Sequence, residues 1–203
     1  MIGVVDYGLG NIQAFLNIFK NLNIDAMAMH NCDELVHADR LILPGVGSFD
    51  WAMEKLLASG MRDCLEDLVT CQQKHVLGVC VGMQMMANNS EEGQLPGLGW
   101  ISGKVKRFDD TCTTPRIQLP HMGWNDVEPQ SRECLFRGIE APRYYFLHSY
   151  YFLPDKVEHI LTRTNYGGSF ASAVRAGNVF GTQFHPEKSH GWGIQLLKNF
   201  AEM

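Results

Sequence analysis

A cysteine bracketed by glycines, Gly78-Val79-Cys80-Val81-Gly82, follows the apolar run His75 to Val79 and precedes a helical pattern from Val81 to Ala87. In that context a sharp strand-to-helix turn lifts a nucleophile clear, and flanking glycines let neighbouring backbone pass close by. A thiolate so placed adds to a carbonyl carbon, and a helix N-terminus behind it favours negative charge. The plainer alternative for Cys80 is a small buried hydrophobe, the ordinary fate of a free cysteine. The strand before and the helix after weigh against it.

Acyl transfer by a cysteine needs a base, and the base needs an orienting group. Gln183-Phe184-His185-Pro186-Glu187 supplies both. In an extended segment residues i and i+2 share a side about 6.5 Å apart, so Glu187 reaches the His185 imidazole and fixes its tautomer. Alone, such a pair is more often structural than catalytic; its value comes from Cys80. His121 and His148 lie beside apolar or aromatic residues with no acid at i+2, and rank below His185. Charge on a tetrahedral intermediate requires N–H donors. One is the backbone N–H of Val81, and a second comes from Gly45-Val46-Gly47, a glycine-rich loop that turns peptide units inward without a Cβ clash. That loop lacks the Lys-Ser/Thr of a phosphate-binding loop. No HExxH, CxxC or clustered ligand pattern appears, so neither a metal nor a cofactor is expected.

These groups need a frame. Ile2 to Asp6, Arg40 to Leu43 and His75 to Val79 read as short buried strands. Between them, Ile12, Phe15, Leu16, Phe19 and Leu22 make one helical face with Asn11 as N-cap, and a helical stretch runs from about Asp50 to Gln73 with a break near Gly60. After Asn88 the pattern shifts to alternating segments: Lys104 to Phe108, Tyr144 to Leu147, His159 to Thr164, Phe170 to Val174 and Val179 to Thr182. A helix through Ile194, Leu197 and Phe200 follows. The expected fold class is α/β: a mostly parallel central sheet with helices on both faces and a smaller antiparallel extension. No linker or repeat divides the chain, so residues 1–203 read as one domain.

Composition narrows the partners. The chain has 203 residues, 45% apolar and 19% charged, with a formal net charge of -5. No basic field is present to gather phosphates, so nucleic acid is not an expected partner. Nor does any apolar run approach the roughly 20 residues of a membrane span. Six cysteines without a CxxC pair (Cys32, Cys64, Cys71, Cys80, Cys112 and Cys134), and an N-terminus without a basic n-region, read as free thiols in a reducing cytoplasm.

The motifs resemble the triad class of glutamine amidotransferases, and within it the glutaminase subunits of imidazole glycerol phosphate synthases. The matching segments are Asp6-Tyr7-Gly8-Leu9-Gly10-Asn11, Leu43-Pro44-Gly45-Val46-Gly47, Gly78-Val79-Cys80-Val81-Gly82-Met83-Gln84, Pro120-His121-Met122-Gly123-Trp124-Asn125, Phe146-Leu147-His148-Ser149-Tyr150 and Gln183-Phe184-His185-Pro186-Glu187-Lys188-Ser189. The resemblance implies a flavodoxin-like class I amidotransferase fold. It implies that Cys80 attacks the side-chain amide of glutamine, His185 protonates the departing ammonia, and water hydrolyses the glutamyl thioester. Gln84, Gly47 and the backbone at Ser149 and Tyr150 would complete the substrate pocket. It also implies a heterodimer with a (β/α)8-barrel cyclase that receives the ammonia, in histidine biosynthesis, with Asn11, Trp124, Tyr145 and Lys188 at or near the interface. Without the resemblance, Trp124 and Tyr145 read as core aromatics and Lys188 as a solvated charge. Gln118, where relatives carry Lys or Arg, and Gln13-Ala14, where a basic residue or Ser is common, depart from the pattern. They keep open a paralogous glutaminase serving an N-acetyl sugar amidotransferase in surface-polysaccharide synthesis. A stand-alone cysteine hydrolase is a further alternative.

Overall fold

The computed structural model describes residues 1–111, 117–130 and 134–203, with Cys134 described by its backbone alone. Along the first half, strands β1 (Ile2–Val5), β2 (Ala26–Met29), β3 (Arg40–Gly45) and β4 (His75–Cys80) alternate with helices α1 (Ile12–Asn21), α2 (Cys32–Leu35), α3 (Phe49–Ala58) and α4 (Arg62–Glu66). The short helix α5 (Val81–Gln84) leads into β5 (Asn89–Ser90), β6 (Gly103–Arg107), β7 (His121–Asp126), β8 (Glu128–Pro129), β9 (Arg143–His148) and β10 (Tyr150–Pro154). Strands β11 (Ile160–Asn165), β12 (Ser169–Ala176) and β13 (Val179–Thr182) and helix α6 (His190–Ala201) follow.

The main sheet runs β2-β1-β3-β4-β13-β12-β11-β8. Its first five strands are parallel and the last three pair antiparallel. The mixed parallel and antiparallel character matches the expectation except at β13, which the sequence groups with the antiparallel segments and which instead joins β4 in parallel while pairing antiparallel with β12. Strands β1, β3 and β4 are almost wholly buried, which is why they read as continuous apolar runs rather than alternating ones, and β13 is buried along its whole length as well. The β1-to-β2 connection steps one way across the sheet and the β2-to-β3 and β3-to-β4 connections step the other way, so right-handed crossovers put their helices on opposite faces. Accordingly α1 packs with α6 and α2 with α4. Phe15 and Phe19 carry the buried face of α1, and the Asn11 side chain accepts the Ala14 N–H at 3.3 Å as its cap.

Strands β5, β6 and β10 form a separate three-stranded sheet, and β7 pairs antiparallel with β9. Strands β2, β5, β7, β8 and β10 lie outside the sequence expectation. Strand β2 is Ala-Met-Ala-Met at the sheet edge, with no β-branched residue to signal it. Strand β7 (His-Met-Gly-Trp-Asn-Asp) carries polar residues on its inward side, so no apolar alternation appears, and β10 packs two tyrosines half-buried. The long helical stretch from about Asp50 breaks at Gly60, with φ +73°, as expected, and closes in a π-helical turn, Asp67–Cys71.

Candidate active site

Cys80 ends β4 with φ +56° and ψ −113°, a left-handed backbone that a residue with a side chain rarely adopts. The flanking glycines are explained by crowding. A Cβ on Gly82 would lie 1.9 Å from the Leu43 carbonyl oxygen, and one on Gly78 would lie 2.7 Å from the Gly82 carbonyl oxygen. The elbow is wedged against the end of β3, where Gly45 stands opposite Cys80 in the strand register. The helix behind it is shorter than the expected span from Val81 to Ala87. Its carbonyls at Met85, Met86 and Ala87 are taken by the N–H groups of Leu98, Ile101 and Gly99, which end the helical ladder. Four residues make a weak dipole, so electrostatic help for Cys80 comes chiefly from side chains.

Those side chains are His185 and Glu187. The His185 Nδ1 to Glu187 Oε1 distance is 2.8 Å, and both side chains are under 5% exposed. Their geometry differs from the extended arrangement expected: β13 stops at Thr182, and Pro186–Lys188 fold into a 3₁₀ turn with Pro186 at its first position. Proline tolerates that place because its missing N–H needs no partner there. The turn is held by Ser189, whose hydroxyl donates to the His185 carbonyl at 2.5 Å and accepts the Tyr145 N–H at 3.0 Å. Burial opposes a charged imidazole, yet hydrogen bonding and charge from Cys80 and Glu187 outweigh it and push His185 up to about 9.

A pocket of about 310 Å³ opens over the thiol, bounded by Val46, Gly47, Val81, Leu147, His148, Ser149, Tyr150, His185 and Lys188, with Pro120 and Glu92 at its wall. A smaller lobe of about 50 Å³ shares most of that wall and adds Gln84. The structure thus gathers Cys80, Val46, Gly47, Val81, Gln84, Ser149, Tyr150 and His185 around one cavity, with Glu187 behind His185 and Gly45 beneath Val81. The Gln84 amide donates to the Tyr150 carbonyl at 3.0 Å and to Gln183 Oε1 at 2.9 Å, while the Gln183 amide points at the Cys80 sulfur at 3.8 Å. Tyr7, buried, donates its hydroxyl to the Pro44 carbonyl at 2.7 Å and steadies the loop's start.

The remaining predicted residues lie around this mouth. Lys188 stands 5.9 Å over the Tyr145 ring, and Trp124, 37% exposed, stacks on His190 at 5.3 Å, so Trp124 is not a core aromatic. Asn11 is at the start of α1, occupied as a cap. His121 and His148 are buried, and desolvation pushes them down to about 4 and about 3, which suits neither to act as a base.

Glu92 escaped the sequence reading. It is the acidic residue on the wall of the larger pocket among the described residues. Burial raises it, opposed by the Phe49 N–H that its Oε2 accepts at 2.8 Å. Asp50 in turn accepts the Gln94 N–H at 2.8 Å and the Leu95 N–H at 3.1 Å, fastening this loop to α3. The contact joins residues 43 apart in sequence, and no local spacing announces it. Among the described residues there is no cluster of His, Cys, Asp and Glu suited to a metal, and no helix long and apolar enough to cross a membrane. Cys32, Cys64, Cys71 and Cys80 are free thiols; Cys112 and the Cys134 side chain lie outside the described residues.

The family profile described as glutamine amidotransferase class-I matches residues 3–203. Proteins named "Imidazole glycerol phosphate synthase subunit HisH" are similar along their whole length: that of Bdellovibrio bacteriovorus is 53% identical over 204 residues, covering 100% of both chains. The one from Leptospira borgpetersenii is 47% identical, also with 100% of both covered. Among solved structures, one titled "Crystal structure of glutamine amidotransferase" aligns with a TM-score of 0.77 at 20% identity, over 100% of this chain and 99% of that one. PurLQS from Thermotoga maritima aligns with a TM-score of 0.73 at 16% identity, over 99% and 97%. At such identities these two support the fold alone.

Proposed function

This chain belongs to the class-I glutamine amidotransferase family, and from that membership and its site we propose that it is the glutaminase subunit of an imidazole glycerol phosphate synthase, acting in histidine biosynthesis. The observation that carries the chemistry is a strained, buried Cys80 facing a cavity beside a His185–Glu187 pair joined at 2.8 Å. Cys80 passes its proton to His185 and its sulfur adds to the side-chain amide carbon of glutamine. The N–H of Val81, at a helix start where no intrahelical acceptor exists, and a peptide N–H of the Gly45-Val46-Gly47 loop receive the oxyanion. His185 returns the proton to the leaving nitrogen, so ammonia departs neutral and a thioester remains. Water, deprotonated by His185, releases glutamate and restores the thiol. Glu92 meets the substrate's α-ammonium, Gln84 lines the smaller lobe, and the backbone at Ser149 and Tyr150 closes the pocket. No cofactor is needed for these steps.

Ammonia is nucleophilic only while unprotonated, so the mouth must be covered. We assign that role to a (β/α)8-barrel cyclase docking over Asn11, Trp124, Tyr145 and Lys188 in a heterodimer in the cytoplasm, with residues 1–203 acting as one domain. The full-length relatives carry the synthase name, which favours this partner over a sugar amidotransferase. In the complex, Cys80→Ala is expected to abolish glutamine-dependent synthesis while leaving synthesis from ammonium salts intact. Loss of both activities would overturn the assignment.

A further inference from the structure

Two buried histidines outside the triad, His121 and His148, stand opposite one another in the β7–β9 pair. We infer that they form a proton-ordered relay that fixes the Tyr150 peptide and the amide pair beside the Cys80 thiol, making both histidines positioning residues for the glutaminase reaction. This rests on the functional reading above.

The direction of every proton follows from one fixed end. His148 Nδ1 lies 2.7 Å from the Tyr150 carbonyl oxygen, which only accepts, so Nδ1 carries the hydrogen. A neutral ring then has a bare Nε2, and His121 Nδ1, 2.9 Å away, must donate to it. His121 Nε2 is in turn bare and accepts from the Asn125 amide at 3.1 Å, whose second hydrogen goes to the Asn165 carbonyl at 3.1 Å. The chain is self-consistent, with each donor matched to one acceptor. Both rings are therefore held in the Nδ1–H form. Stacking confines them: His121 lies between Phe146, at 4.7 Å, and Tyr166, at 4.0 Å. Tyr166 and His185 face the pair from the other packed segments, and Cys80, Glu92 and Lys188 line the cavity that His148 borders.

The Tyr150 carbonyl is where the relay meets the site. It accepts from His148 and also from Gln84, whose amide orients Gln183 toward the Cys80 sulfur. Tyr150 and His148 also border the substrate cavity. Turning the His148 ring would free this carbonyl on one side and leave Gln84 to hold it alone.

The test uses the full chain, with its eight histidines labelled with nitrogen-15, and then the assembled complex. Long-range nitrogen–proton spectra are expected to show two rings protonated at Nδ1 and bare at Nε2, unchanged from about pH 5.5 to 8. Either ring protonated at Nε2, or titrating in that range, overturns the relay. Asn125→Asp replaces the terminal donor with an acceptor and should place a proton on His121 Nε2. Asn125→Leu removes the donor without adding charge. Both are expected to raise KM for glutamine about tenfold, with kcat changed far less and ammonium-dependent synthesis unchanged. Unaltered KM in both variants overturns the relay. The tautomer spectra need no turnover, so they separate failure of the relay from failure of the glutaminase reading, which Cys80→Ala tests.

Discussion

Replacing Glu187 with Gln probes the acid–base pair most directly. The carboxylate holds His185 Nδ1 at 2.8 Å in a site where both side chains are buried, and His185 is pushed up to about 9. A hydrogen bond to a charged group is worth about 1.5–3 kcal/mol, and about 1.4 kcal/mol corresponds to one pH unit. Glu187→Gln should therefore bring the His185 titration down to between about 7 and 8, since Cys80 still favours the imidazolium. In the proposed reaction His185 gives its proton to the departing ammonia, so kcat/KM for glutamine is expected to fall as pH rises through this titration. In the wild-type complex that alkaline limb is expected near 9, and in the variant near 7 to 8. At pH 8 the protonated fraction drops from about 0.9 to between about 0.5 and 0.1, a loss of roughly two- to tenfold in kcat/KM. The assay is a pH profile of glutamine-dependent turnover, with ammonium-dependent synthesis as control. A variant limb that stays at the wild-type pH refutes the reasoning.

Three further outcomes follow from the same geometry. Between about pH 6.5 and 9 the folded chain holds a proton on His185 that the unfolded chain has lost. That contribution, at most about 3 kcal/mol, is complete below 6.5 and disappears as pH rises through 9, so urea midpoints should fall over that window, and less so in Glu187→Gln. Gly82→Ala drives a Cβ to 1.9 Å from the Leu43 carbonyl and should cost more than about 3 kcal/mol, whereas Gly191→Ala meets nothing within 4 Å and should be near neutral in thermal denaturation. Ser189→Ala leaves the Tyr145 N–H without its acceptor and the His185 carbonyl without its hydroxyl donor. A loss of about 2 kcal/mol in urea titration and a lower kcat are expected.

The legible parts of this protein are those encoded locally. The elbow announces itself because glycines must flank a nucleophile that neighbouring backbone grazes, and Gly78 and Gly82 prove to be those contacts. Buried parallel strands leave unbroken apolar runs, so β1, β3 and β4 are readable, while β2 has no β-branched residue to mark it and β7 turns polar residues inward. What the chain hides is made by distant contact. The helix after Cys80 is cut short by carbonyls captured from residues 98–101, and the His185 turn is shaped by Ser189 and Tyr145 together. Glu92 enters the cavity only because the loop that carries it is fastened to the start of α3. The ring-to-ring bond of His121 and His148 depends on a strand register that no spacing within either segment specifies.

The place of β13 bears on how the enzyme is born. Strand β4, which ends in the proposed nucleophile Cys80, has β3 on one side and β13 on the other, and β13 spans Val179–Thr182, just before the His185 turn. While the chain emerges from the ribosome, β4 therefore keeps an unpaired edge until Val179–Thr182 has been made. An exposed parallel strand is prone to join other strands, which puts a premium on rapid closure once β13 arrives. The same order of synthesis brings the proposed base late: His185 follows β13 directly, so the proposed triad is complete only after β4 has gained its second neighbour.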